Sequence, residues 1–170
     1  MLLYDWTKDP HHTLLRISII LKILHEKGIK EIEYDRLRIL DFILAKPTII
    51  TEMVFDKNWR GNKSTFKNLK HGYNSFPKEI LFHQMKDIFD IVINSLEKLT
   101  VIVSDMSISP RYNIKIENLS INLQAVIETQ QSINFDAITL IKNHLIDYPL
   151  LGRGGLKDRS TLMEYKYDNH

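Results

Sequence analysis

Near the end of the chain, two patterns have spacings that chemistry uses. Asp158 precedes the triplet Glu164-Tyr165-Lys166. In that order, paired carboxylates can hold Mg²⁺ while a lysine orients an attacking water, as in restriction-type nucleases. Just upstream, Gly152-Arg153-Gly154-Gly155-Leu156-Lys157 looks like a loop that cradles phosphate. Both chemistries make demands that the surrounding sequence does not meet. A phosphate loop needs G-x-x-x-x-G-K, then Ser or Thr, between a strand and a helix. Here Leu156 separates Gly155 from Lys157, and no strand is predicted before them. A nuclease pair needs a sheet that fixes both carboxylates, and the one predicted hairpin lies elsewhere. In a chain that is 26% charged, such a match also arises readily by chance. What remains is a glycine-hinged C-terminal tail, 150–170, bearing Arg153, Lys157, Arg159, Tyr165 and Tyr167. Arg and Tyr are favoured at interface hot spots, so the tail is expected to dock a partner protein.

A second candidate is basic. From Lys57 to Lys78, both included, there are six Lys or Arg and no Asp or Glu, on a chain whose net charge is only +2. Lys57, Arg60, Lys63, Lys67 and Lys70 are interleaved with Trp59, Phe66, Tyr73 and Phe76. Cations neutralise phosphate and aromatics stack on bases, so the segment could contact nucleic acid. The alternatives are a solvated basic loop whose aromatics anchor it to the core, or a loop that meets an anionic partner protein.

Other chemistry has little support. His11 and His12 are adjacent, so on a helix they point about 100° apart and do not easily share a metal. His71, His83 and His144 belong to no H-E-x-x-H. No Ser/His/Asp set has local support. The chain has no cysteine, which excludes disulfides, thiolate catalysis and Cys-ligated zinc. No catalytic residue, metal or cofactor is expected.

Helices must position these side chains. Asp9-Pro10 is a helix start, a capping residue followed by proline at the first helical position. Its apolar positions run from Leu14 to Leu24, with Gly28 beyond the end. A second helix is predicted from about Asp35 to Lys46, with Leu37, Leu40, Ile43 and Leu44 on one face and Pro47 as its stop. "TIITEMVF" has the β-branched residues of a strand but follows a short helix, and is read as a third helix. Asn58 to Ser75 reads as a loop or short helix. From Pro77 to about Lys98, Leu81, Met85, Ile88, Val92, Leu96 and Leu99 recur at helical spacing. More than half of that circumference is apolar, so the segment is expected to be the central core helix, the alternative being a groove for a partner protein. Then the period changes. Thr100 to Ser104 and Tyr112 to Ile116 are β-rich, with turn residues between them. Two further helices are predicted, about Asn122–Gln131 and Asp136–Asp147.

The expected fold is therefore mainly α with a β-hairpin, a winged-helix-like domain over 1–149 followed by the C-terminal tail. A chain of 170 residues that is 44% apolar can bury a core without staples. The opening "MLLYDWTKDPHH" lacks the basic region and apolar run of a signal peptide. The apolar stretch Leu14 to Leu24 is broken by Arg16 and Lys22 and is too short to span a bilayer. A soluble, cytoplasmic protein without a membrane partner is expected.

Three stretches, taken together, carry a family likeness. They are "DRLRILDFILAKP" (35–47), "FPKEILFHQMKDIFDIVINSLEKLTVIV" (76–103) and the terminal "GRGGLK". With them the chain resembles the middle component of bacterial ABC-three-component conflict systems, a group that includes the Lamassu anti-phage systems. The likeness extends over about Thr13 to Gly155 and rests on the order and pattern of elements. It implies a small, winged-helix-like, non-enzymatic protein that sits with an SMC- or Rad50-like ATPase and an effector, often a nuclease. It implies an adaptor that restrains the effector until the ATPase engages foreign DNA. It supplies no catalytic residues to place on this chain.

Two other classes remain. A free-standing winged-helix DNA-binding transcriptional regulator would need a recognition helix with exposed Arg, Asn or Gln. The second predicted helix offers Arg36 and Arg38, but also Asp35 and Asp41, which phosphate repels. A small metal-dependent nuclease would depend on Asp158 and Glu164.

Overall fold

Asp9 caps the first helix as its sequence predicts. Its carboxylate accepts the backbone N–H of His11 at 2.6 Å and of His12 at 3.4 Å, and α1 runs Pro10–Glu26. The computed structural model describes residues 5–69, 76–105 and 109–163. After α1 come strand β1 (Glu31–Glu33), α2 (Tyr34–Ala45) and a 3₁₀ turn over Pro47–Thr51. Short helix α3 (Ser64–Lys67) follows, then α4 (Lys78–Gln84) and α5 (Lys86–Lys98). Next are β2 (Ile102–Asp105), β3 (Arg111–Ile114), α6 (Ile121–Thr129), α7 (Phe135–Asn143) and α8 (Leu156–Ser160).

The centre of the molecule is α1, not the segment 77–98 as expected. Leu15, Ile17, Ile20, Leu21 and Leu24 are buried on several sides of α1, which packs against α2, α5 and α6. Its packing against α2 encloses an ion pair. Arg16 Nε lies 2.7 Å from Asp41 Oδ1, and both side chains are almost wholly removed from solvent. Arg16 Nη2 donates to Thr13 Oγ1 at 2.9 Å. Burial pushes the Asp41 carboxyl up, and the Arg16 guanidinium opposes that shift.

The predicted long helix 77–98 is divided at Met85 into α4 and α5. An unbroken helix would offer the Phe82 carbonyl to the Lys86 N–H. Instead that carbonyl accepts Arg38 Nη2–H at 3.1 Å, and the same guanidinium lies 4.1 Å from the Phe82 ring centroid. A side chain entering the ladder is a known cause of such breaks. The α5 helix is amphipathic, burying Phe89, Val92, Ile93 and Leu96.

The sheet has one strand more than the predicted hairpin. β3 pairs antiparallel with β2, Ile102 opposite Ile114, and with β1, Ile32 opposite Tyr112, giving the order β1-β3-β2. Three residues are too few to show a period in sequence. The run α1, β1, α2, then α5 followed by a hairpin is compatible with a winged-helix-like domain. "TIITEMVF" forms the 3₁₀ turn and then irregular chain rather than a third helix. The last helices close the core. Ser120 and Asn134 cap α6 and α7 through bonds to the backbone N–H of Leu123 and Ala137. α7 and α8 both pack against α2.

Candidate functional site

The segment that follows Pro149 was expected to be a hinged arm, and its described part is tied into the fold. The N–H of Leu156 donates to the Pro149 carbonyl at 2.7 Å, and that of Gly155 to the Gly152 carbonyl at 3.0 Å. Gly152 and Gly154 adopt φ of +81° and +79°, where a Cβ is disfavoured. Asp158 Oδ2 accepts the Gly154 N–H at 2.7 Å. The cations divide sharply. Lys157 is only 4% exposed, and its ammonium sits 2.8 Å from Asp35. Arg159 Nη1 donates to the Val54 carbonyl at 3.0 Å, and its guanidinium lies 4.2 Å from the Tyr148 ring centroid. Both are therefore anchors within the chain. Arg153, at the corner of the turn, is exposed and forms no ion pair among the described residues. Tyr165 and Tyr167 lie outside the described residues, as do Glu164 and Lys166 of the nuclease-like pattern. Asp158, its remaining member, serves the loop.

The basic segment is likewise part structure, part surface. Lys57, Arg60 and Lys67 face solvent. Lys63 Nζ donates to the Met53 carbonyl at 2.5 Å and is half-buried. Phe66 is buried, and Trp59 stacks on Phe55 with ring centroids 4.1 Å apart. These two aromatics hold the segment to the body, so a base would find one face of Trp59 already covered. Lys70 and Tyr73 lie outside the described residues.

The wide apolar helix 77–98 does not say from sequence which of its residues stay outside, and the structure leaves an outer side on α5. Ile91 and Leu99 are 53% and 63% exposed there, beside Asp87, Asn94, Ser95 and Lys98. The predicted apolar stripe included Leu99 as core; the structure leaves it outside, at the helix end. Lys86 is used up by Asp90, 2.5 Å away, and Asp90 also accepts the Tyr34 hydroxyl at 2.5 Å. This joint fixes α5 to the start of α2. Arg36 and Arg38, offered by sequence as exposed readers, are also committed inward. Arg36 donates to Glu33 at 2.8 Å and to the Tyr148 carbonyl at 2.8 Å, and Arg38 holds Phe82.

Behind α5, burial and then the Glu97 and Asp90 carboxylates push the Tyr112 phenol up to about 12. The unfolded chain gives up that proton first, near 10. The contribution is thus whole below pH 10 and is lost as pH rises towards 12. Tyr112→Phe is expected to reduce the alkaline loss of stability by about one proton. Urea unfolding at the two ends of that window measures it. An unchanged pH dependence refutes the shift.

Among the described residues, no group of three or more His, Asp or Glu is placed to hold a metal ion. Nor is any helix there long and apolar enough to cross a membrane.

No curated protein matches the chain, and no solved structure does. A family model described as ABC-three component (ABC-3C) system Middle Component 5 matches residues 2–168. That match spans the helical core, the three-stranded sheet and the glycine turn alike. A middle component works within a multi-subunit system, so protein partners are part of its setting. The chain belongs to the Middle Component 5 family of ABC-three component systems.

Proposed function

We propose that the protein is a non-catalytic, cytoplasmic adaptor of an anti-phage defence complex. It bridges an SMC- or Rad50-like ATPase and an effector, a nuclease by preference, and restrains the effector until the ATPase engages foreign DNA. Membership of a middle-component family supports an adaptor over a free-standing protein. The observation that carries the reading is the outer side of α5. In a winged-helix arrangement, the helix before the hairpin is the one offered to the major groove. Here that helix presents Ile91 and Leu99, with Asp87 and Lys98 balancing each other. Phosphate binding needs uncompensated cations. Exposed apolar side chains ringed by polar ones suit a protein surface instead.

The test is to purify the full chain with the other two proteins of its system. Co-elution with one or both on size exclusion is the expected result. Weak, sequence-independent DNA binding that collapses between about 50 and 200 mM salt fits the exposed Lys57, Arg60 and Lys67. A chain that elutes alone and holds one duplex sequence tightly is a regulator, and the adaptor reading fails. Mg²⁺-dependent cleavage by the pure chain, abolished by Glu164→Ala, would establish a nuclease.

A further inference from the structure

A groove of about 520 Å³ lies between the start of β3 and the glycine turn. One wall is Ser109, Pro110 and Arg111, and the other is Pro149, Leu150 and Leu151. The start of α2 forms part of the lining. Both walls are held in shape. The Tyr34 N–H donates to the Pro110 carbonyl at 3.0 Å, and the Lys157 N–H to the Leu150 carbonyl at 3.2 Å. The groove is therefore present before any partner arrives, which lowers the ordering cost of binding.

Its charges are unequally satisfied. The two carboxylates that line it are already paired, Glu33 with Arg36 at 2.8 Å and Asp35 with Lys157 at 2.8 Å. The donors are not all used. Arg111 Nε is buried and has no hydrogen-bond partner among the described residues. Its Nη1 reaches Glu31 only at 3.6 Å, across an exposed pair. The Nε is closed to solvent, so what the groove reaches is the outer edge of the guanidinium. Beyond Leu151, the turn carries Arg153, which forms no ion pair among the described residues. What the groove still offers is thus positive. What it offers besides charge is apolar: Pro110, Pro149 and the 41% exposed Leu151.

The geometry points to a docking groove for an extended segment of a partner protein in which a carboxylate neighbours an apolar side chain. The carboxylate pairs with the outer edge of the Arg111 guanidinium and feels the field of Arg153, while the apolar residue lies against Leu151 and the prolines. A phosphate would use the cations but leave the proline and leucine wall idle. Peptide is favoured over nucleic acid for that reason. The inference rests on the adaptor reading and names the surface that reading needs.

The experiment uses the full chain and the other two proteins of its ABC-three component system, with affinity measured by interferometry. Arg153→Glu and Leu151→Asp change exposed side chains, and each is expected to weaken binding to one of the two proteins at least about tenfold. Their melting temperatures should stay within about 2 °C of the parent. Arg111→Lys keeps the charge but loses the planar fork of donors at the guanidinium edge, and a loss of about fivefold is expected. A photo-crosslinker at position 151 should mark an acidic segment of that protein, and reversing its carboxylate to Arg should restore binding by Arg153→Glu. If the parent binds and all three variants bind equally well, the groove is not the docking site and the adaptor reading survives. If the parent binds neither protein, the adaptor reading fails and takes the groove with it. If the variants lose affinity for a random-sequence duplex and not for protein, the occupant is nucleic acid and the inference is overturned.

Discussion

Replacing Asp41 with alanine lowers the unfolding free energy by about 3–5 kcal/mol. The magnitude comes from what is left behind. Arg16 and Asp41 face each other where α1 meets α2, with Nε 2.7 Å from Oδ1 and Nη2 3.4 Å from Oδ2. Water does not reach either group, so the guanidinium would lose its counter-ion without gaining hydration. Thr13 Oγ1 is a neutral acceptor and cannot replace a carboxylate. The pair itself need not add net stability, because desolvating both charges offsets most of their attraction. Arg16→Met with Asp41→Leu therefore recovers most of the loss, or exceeds the parent. Urea midpoints at constant slope give the three values. A single substitution costing under about 1 kcal/mol would mean that the interior relaxes to admit water, contrary to the packing described.

The second large effect is expected at Gly155. A Cβ there would lie 2.5 Å from the Leu151 carbonyl oxygen and 2.9 Å from that of Pro149. Both are backbone atoms in a turn held by its own hydrogen bonds, so neither can swing aside as a side-chain tip would. Gly155→Ala should cost about 1–3 kcal/mol, the range for forcing extra volume into a packed place. The damage should be local. The bond from the Leu156 N–H to the Pro149 carbonyl, 2.7 Å long, is the one the new methyl pries open. Loss of exchange protection at that amide, along with a lowered urea midpoint, is the expected signature. Because the turn forms one wall of the groove, partner affinity should fall too. A variant as stable as the parent, with Leu156 still protected, would show that the turn shifts freely.

Much of the helical framework was legible in the sequence because local chemistry decides it. Asp9-Pro10 marks a helix start wherever it occurs, and the β-rich runs around Ser104 and Tyr112 announced a hairpin. The failures share a cause, which is that the deciding partner lies far along the chain. Nothing near Met85 says that its helix will be divided; the reason is the guanidinium of Arg38. Nothing in "EIE" says strand until Arg111–Ile114 lies alongside. The candidate site suffered most. Arg153, Lys157 and Arg159 look alike on paper, yet Asp35, Val54 and Tyr148 take two of them out of circulation and leave one. The same holds for Arg36 and Arg38, whose partners Tyr148 and Phe82 come much later. Charge is read easily from sequence, but its availability is a tertiary property. The outer face of α5 was hidden because a wide apolar helix gives no sign of which residues its neighbours will fail to cover.

The long reach of these closures also bears on how the protein is made. Arg36 waits for a carbonyl 112 residues downstream, and Val54 for a guanidinium 105 residues downstream. On the ribosome, α2 must emerge and remain unclosed until almost all the described chain has followed it. Distant pairings of this kind slow folding relative to a helical protein closed by local contacts alone, and half-built stages expose apolar surface to other chains. A truncated product lacking α8 would keep Pro149, Leu150 and Leu151 but lose the Leu156 and Lys157 N–H bonds that hold that wall of the groove in shape. A chain that stops early therefore lacks the bonds that close α2 and the Val54 carbonyl.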